Sequence, residues 1–428
     1  MALSGRIFGF SSASMLIPQA LEGVLAVGLL YAAVRRWFGA GTGLLAGALM
    51  AITPVAALMF RFNNPDALLV CLLVAAAYCL VRALEGASTR WLLAAGTFIG
   101  FAFLAKMMQA FLVLPAFALV YMVGAPTGLR RRMWQTLAGG LAVVLSAGWW
   151  VAIVALWPAS SRPMIDGSSS NSILDLIVGY NGLGRIFGAS GPGGGGGGGG
   201  GGNFSGQSGV LRLFNNLMGG QASWLIPAAL LALVLGLWST RGTRRTDRTR
   251  AAMLLWGGWL VGSGLVFSLA SGIIHQYYTV ALAPAVAALV AIGTRALWQD
   301  RERIAPRLLP ALGANVTSVW AWVLLDRTPH WTPWLRVAIL ASVAIAVVGL
   351  LAEAAQRRLG RWATYVIVSL LAFACVSAPI AYTIETITSP QSGALVAAGP
   401  SSGQGFGGPG GGGGSQTSTS RALIKALE

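Results

Sequence analysis

The chain has 428 residues, 56% of them hydrophobic and only 10% charged, with a mean hydropathy of +0.71. A water-soluble domain carries about a quarter charged residues, so the composition excludes one and points to a polytopic membrane protein. The net charge of +17 would suggest nucleic acid in a soluble chain. Here the basic residues sit in short clusters between apolar runs, without the interleaved aromatics of a base-stacking surface, so no nucleic-acid partner is expected.

Apolar runs that can each cross a bilayer as a helix fall at about 15–34, 40–60, 66–84, 91–105, 107–124, 134–157, 223–240, 252–272, 279–298, 308–325, 337–354 and 363–384. That predicts an all-α bundle of about 12 transmembrane helices. Cys71, Cys79 and Cys375 all lie inside these runs, which rules out a disulfide framework or zinc-ligand spacing. Only Lys106 separates the fourth run from the fifth. Arg82 and Arg90 precede this pair and Arg130, Arg131 and Arg132 follow it. Arginine clusters stay on the cytoplasmic side, so the pair reads as a hairpin with Lys106 at its outer tip. The same parity places 19 of the 29 basic residues in short inner loops, and both ends of the chain outside the cytoplasm.

Residues 1–14 hold neither a basic start nor a hydrophobic signal core, so an outward N-terminus implies a further span upstream. Within the membrane part, 1–384, the long outer segment 159–222 contains Gly193 to Gly202 as an unbroken run. The tail, 385–428, carries a second glycine stretch, Gly407 to Gly414, interrupted by Pro409. Such runs behave as flexible tethers, and the tail reads as an extracytoplasmic linker to a soluble domain beyond this chain.

Ionisable groups at membrane depth are costly, which makes each a candidate site. Asp66, in Arg61-Phe-Asn-Asn-Pro-Asp66, follows a proline suited to a helix start and meets the positive helix end; it is either a plain helix-end acid or a reacting carboxylate. Lys106, beside Met107, Met108 and Gln109, either snorkels to headgroups or holds a phosphate. His275-Gln-Tyr-Tyr278 is either an aromatic belt or a polar substrate contact. Asp326 to Trp334, which includes His330, reads as an interfacial anchor. Glu22 is expected to face the bundle interior, and Asp166 and Asp175 to be solvated acids. Arg61, Asp66, Lys106 and the His275 segment share the outer side. There a carboxylate, fixed cations and aromatic faces suit a polar substrate carried on a lipid phosphate.

Several segments together resemble the family-39 glycosyltransferases, the protein mannosyltransferase and aminoarabinose transferase group with the membrane-embedded GT-C fold. They are Leu16-Ile-Pro-Gln-Ala-Leu-Glu-Gly-Val-Leu-Ala-Val-Gly-Leu-Leu-Tyr31, Arg35-Arg-Trp-Phe-Gly, Ile52-Thr-Pro54, Asn64-Pro-Asp66-Ala-Leu, Phe103-Leu-Ala-Lys106 and His275-Gln-Tyr-Tyr278. The glycine-rich loop and tail are similar to an actinobacterial-type branch with an outer C-terminal domain. The resemblance implies transfer of mannose, or another hexose or pentose, from a polyprenyl-phosphate carrier in the membrane to a glycan, lipid or protein acceptor. The transfer would occur on the outer face of the cytoplasmic membrane, by an inverting displacement. Asp66 would be the second site acid, Arg61 and Lys106 would face the carrier phosphate, and His275, Tyr277 and Tyr278 would line the pocket. No cofactor is certain, and a divalent metal ion is left open. The family's principal aspartate lies in a loop ahead of the first residue here, so an inactive fragment is one expectation. A transporter or lipid flippase, and a non-catalytic scaffold, are the alternatives.

Overall fold

The computed structural model describes residues 1–188, 205–299, 304–356, 361–390 and 396–400, and among these it is wholly helical, with no strand. A short helix, Ala2–Phe8, precedes α1 (Ser12–Phe38), α2 (Ala40–Ala51), α3 (Pro54–Met59), α4 (Asp66–Gly86), α5 (Thr89–Lys106), α6 (Leu114–Gly124) and α7 (Leu129–Leu156). Beyond the long loop come α8 (Ile226–Ser239), α9 (Arg248–Leu269), α10 (Ala283–Gln299), α11 (Ile304–Asp326), α12 (Pro333–Gln356) and α13 (Arg361–Thr388). Among the described residues, nine helical stretches are long and apolar enough to cross a membrane, and one of them, Thr89–Gly124, holds two of the expected runs.

The run expected at 40–60 is not one continuous helix. α2 ends at Ala51 and α3 starts afresh at Pro54, because a proline cannot continue the helical ladder but fits its first position. Likewise the run at 279–298 begins as a 3-10 turn, Gln276–Leu282, before α10. α11 covers the 308–325 run, although the side chains of 304–311 lie outside the described residues.

As one straight helix, the 36 residues of Thr89–Gly124 would measure about 54 Å against a hydrocarbon core of about 30 Å. The helix breaks at Lys106: Met107 takes φ 43° and ψ −130°, and a 3-10 stretch, Met107–Val113, leads into α6. α5 and α7 run parallel. At their starts Gln135 donates to Ala87 O (2.7 Å) and Thr89 Oγ1 (2.9 Å). Further along, a Cβ on Gly96 would lie 2.3 Å from Gly139 O and one on Gly100 1.9 Å from Ser146 Oγ, so only glycine allows this approach. Parallel neighbours require the chain to return between them, and α6 makes that return. Tyr121, near its end, donates to Gln135 Oε1 at 2.8 Å. The expected hairpin with Lys106 at its tip is therefore present.

The two ends of the bundle differ in charge. At one end Arg36 pairs with Glu85 at 2.7 Å, Arg82 covers the Trp91 ring at 4.3 Å and Arg245 donates to Ala125 O at 2.6 Å. At the other end lie Asp66, Lys106 and the last residues of α13, where Thr383 donates to Ile52 O at 2.8 Å. Most of α4 is buried, which makes it the central helix and puts Asp66, its first residue, inside protein.

The long loop folds back over the Asp66 end. The serines 168–170 donate to Asp175 Oδ2, so this acid is a local loop cap held below the usual carboxylate range by those donors. A wide helical turn, Asp175–Leu183, continues into Gly184–Phe187. Arg212, buried, donates to Ala270 O at 2.6 Å. Both glycine runs lie outside the described residues. The expected tail boundary at 385 falls within α13, and residues 396–400 dock on the bundle, where Ala398 N donates to Gln221 Oε1 at 2.9 Å.

Candidate active site

The α4 start builds the first part of the site. Pro65 precedes the helix, Asn64 Oδ1 accepts from Asp66 N (3.1 Å) and Gln19 Oε1 accepts from Asn64 N (3.1 Å). This chain of contacts fixes Asp66, whose side chain is fully buried. Lys106, the last residue of α5, donates to both of its oxygens, at 2.7 and 2.6 Å. A buried charge is costly unless paired, so the two residues account for each other's position.

The third face is His275–Tyr278. Lys106 Nζ lies 3.8 Å from the Tyr278 ring centroid and 5.3 Å from that of Tyr277, a desolvated cation–π arrangement of about 2 kcal/mol. His275 stacks on Tyr277, with centroids 5.2 Å apart and planes 3° from parallel. Burial first, then the charges of Arg185 and Lys106, push the His275 imidazole down to about 4, so it is neutral at physiological pH and supplies no third cation.

The fourth face comes from the folded-back loop. Arg185 is half-buried, donates to Ile273 O at 2.8 Å and sits over the Tyr180 ring at 4.6 Å. Asn181 lies 3.0 Å from Met107 Sδ, which joins the loop to the Lys106 turn. Met107 holds a backbone conformation that costs about 1–3 kcal/mol and is typical of functional sites.

Of the residues expected from sequence, Asp66, Lys106, His275, Tyr277 and Tyr278 come together. Arg61 stands apart, exposed and donating to Ile387 O at 2.8 Å. Glu22 is half-buried. In the segment read as an interfacial anchor, Trp331 Nε1 donates to Glu385 (3.3 Å) and His330 is exposed. Arg185 and Tyr180 are additions that sequence reasoning missed. Among the described residues no three His, Cys, Asp or Glu side chains gather as metal ligands. This site brings Asp66 and His275, and Asp66 already holds Lys106, a donor set that does not fit a metal held by the chain alone.

Fold and site together define an all-helical, multi-pass membrane protein with a polar site at one end of its bundle. Residues 1–151 match the family described as dolichyl-phosphate-mannose–protein mannosyltransferase. Two Bacillus subtilis proteins that carry the provisional name mannosyltransferase are similar. YycA is 32% identical over 399 residues, 75% of this chain and 58% of that protein. YkcB is 29% identical over 523 residues, 100% of this chain and 71% of that protein. The chain thus spans 58% of the length of the first relative and 71% of that of the second.

Among solved structures, ArnT from Cupriavidus metallidurans bound to undecaprenyl phosphate superposes with a TM-score of 0.54 at 21% identity, covering 89% of this chain and 65% of that one. The apo form gives 0.51 at 19% identity, over 88% and 64%. At these identities the likeness is one of fold. Together these likenesses support a family-39 glycosyltransferase reading of the chain.

Proposed function

We propose that this chain is the membrane part of a glycosyltransferase that moves a sugar from a polyprenyl-phosphate carrier to an acceptor. The observation that carries the reading is Lys106 and Arg185 converging, through three tyrosine rings, beside the buried Asp66. Two cations against one carboxylate leave the site net positive, as a phosphate requires. Aromatic faces suit a sugar ring. The ArnT neighbour bound to undecaprenyl phosphate and the mannosyltransferase relatives support the carrier and sugar classes.

In the reaction, an acceptor oxygen forms the new bond to the anomeric carbon. The bond from that carbon to the phosphate oxygen breaks, and its electron pair leaves on the phosphate. Lys106 and Arg185 neutralise that charge as it develops, in surroundings largely screened from water, where such stabilisation is strongest. The acceptor proton passes to a carboxylate, and Asp66 is the one this chain places at the site. Because arginine clusters stay cytoplasmic, the end carrying Arg36, Arg82 and Arg245 faces the cytoplasm and the Asp66 end faces outward, together with both termini.

The test is a reconstituted assay: the 428-residue chain in vesicles with polyprenyl-phosphate mannose and a mixture of envelope lipids and glycans. Release of polyprenyl phosphate that depends on Lys106 supports transfer. Movement of intact carrier across the bilayer without release supports a flippase.

A further inference from the structure

Lys106 has no hydrogen to spare. Its ammonium carries three donors. Asp66 takes bonds at 2.6 and 2.7 Å, and the Tyr278 ring covers the nitrogen at 3.8 Å. The cation assigned above to the carrier phosphate is therefore already occupied by an internal anion. Asp66, for its part, is fully buried, and its carboxylate oxygens both face Lys106. Neither group is available while the pair is closed.

We infer that Asp66 is the internal occupant of the carrier-phosphate position, so that phosphate binding and exposure of the Asp66 carboxylate are one exchange of partners on Lys106. The inference rests on the proposed carrier reading and adds an order to it. The phosphate arrives first and takes Lys106, guided by the Arg185 charge. Asp66 then loses its partner and becomes able to accept a hydrogen bond, or a proton, from an acceptor hydroxyl. Once the phosphate leaves, the pair closes again. An acceptor that arrives without carrier meets no free carboxylate. No bond other than hydrogen bonds changes in this exchange, and no co-reactant is needed.

The surroundings favour exchange over simple addition of a phosphate beside an intact pair. The α4 side of Asp66 is fixed by Asn64 and Gln19, whereas Lys106 ends its helix next to the Met107 turn and the 3-10 stretch after it. The carboxylate thus stands on a helix start braced by Asn64 and Gln19, and the cation at a helix end where the regular ladder stops.

A protein whose competent state is a fraction of the whole binds more weakly by that fraction. Removing the internal occupant should therefore tighten binding. The experiment measures the affinity of the purified 428-residue chain for undecaprenyl phosphate in detergent, by tryptophan fluorescence, for a double-mutant cycle. The expected result is a gain of about tenfold for Asp66→Asn in the wild-type background and no gain in the Lys106→Ala background. An equal gain in both backgrounds would mean simple charge repulsion by Asp66, and a loss for Asp66→Asn would make it a mere support for Lys106; either overturns the inference while leaving the carrier reading intact. No binding by the wild-type chain contradicts the carrier reading and this inference with it.

A second measurement needs no variant at the pair. The chain has two lysines, Lys106 and Lys425, so lysine labelled with nitrogen-15 at the side chain gives two resonances. Titration with undecaprenyl phosphate should shift the Lys106 signal and leave the Lys425 signal in place. An unmoved Lys106 signal at saturating ligand overturns the exchange.

Discussion

Lys106 and Asp66, 40 residues apart in sequence, meet through both carboxylate oxygens at 2.7 and 2.6 Å, with the carboxylate fully buried. The contact joins the end of α5 to the start of α4 and fixes the height at which the Met107 turn reverses the chain. Every other site residue is arranged around this pair: the two tyrosines over the cation, the asparagine at the carboxylate's own backbone, and Arg185 from the loop above.

Breaking one partner of a buried pair costs about 3–5 kcal/mol because the other charge is stranded. Lys106→Met should accordingly lower the thermal midpoint of the detergent-solubilised chain markedly. Lys106→Met combined with Asp66→Asn should recover most of the loss. Equal midpoints for the wild-type and Lys106→Met chains would show that the pair is not formed.

Arg185→Ala should weaken undecaprenyl phosphate binding by roughly 10- to 100-fold, the range of a charge-assisted hydrogen bond worth about 1.5–3 kcal/mol. Arg185→Lys should retain part of the affinity as a point charge without the guanidinium fork. Arg61→Ala, at a residue that reaches Ile387 instead of the site, should leave binding within about twofold, since an exposed contact of this kind contributes under about 1 kcal/mol. A larger effect of Arg61 than of Arg185 would reverse the assignment.

That reversal of roles shows what the sequence could and could not disclose. Asp66, Lys106 and the His275–Tyr278 segment were legible because each is polar in otherwise apolar surroundings, and membrane depth makes such residues stand out. Arg61 shares that signal, yet its side chain points to the end of α13. Arg185 carries no such mark: it lies in the long loop outside the twelve apolar runs, and only the folding of that loop onto the Met107 turn brings it to the site. The twelve apolar runs announced the bundle, while the breaks at Ile52-Thr53 and at Gln276–Leu282 depend on Pro54 and Pro284, which sequence alone flags without showing where the helix restarts.

His275 titrates near 4 in the folded chain, below its ordinary value of about 6.5. The unfolded chain therefore takes up its proton first as the pH falls. Stability should decline between about pH 6.5 and pH 4 and be flat above that window with respect to this residue. Thermal midpoints measured against pH should show a slope there that His275→Asn reduces. A slope unchanged in His275→Asn would place the histidine in water.

Close packing of α5 on α7 through Gly96 and Gly100 gives a further check. Gly96→Val would drive a side chain into Gly139 O, an overpacking cost of about 1–3 kcal/mol. A lower thermal midpoint is expected, whereas Gly140→Ala, where nothing lies within 4 Å, should be neutral. Reporter fusions test the sidedness of the same bundle: positions 131 and 245 should report cytoplasm, and 170 and 330 the outside.

The most direct measurement is the appearance of free polyprenyl phosphate when the 428-residue chain in vesicles is given polyprenyl-phosphate mannose and envelope acceptors. The account predicts carrier release matched by mannose on an acceptor, with both lost in Lys106→Ala and Arg185→Ala. Release that proceeds equally well in both variants would contradict the assignment of these cations to the carrier phosphate, and with it the proposed site.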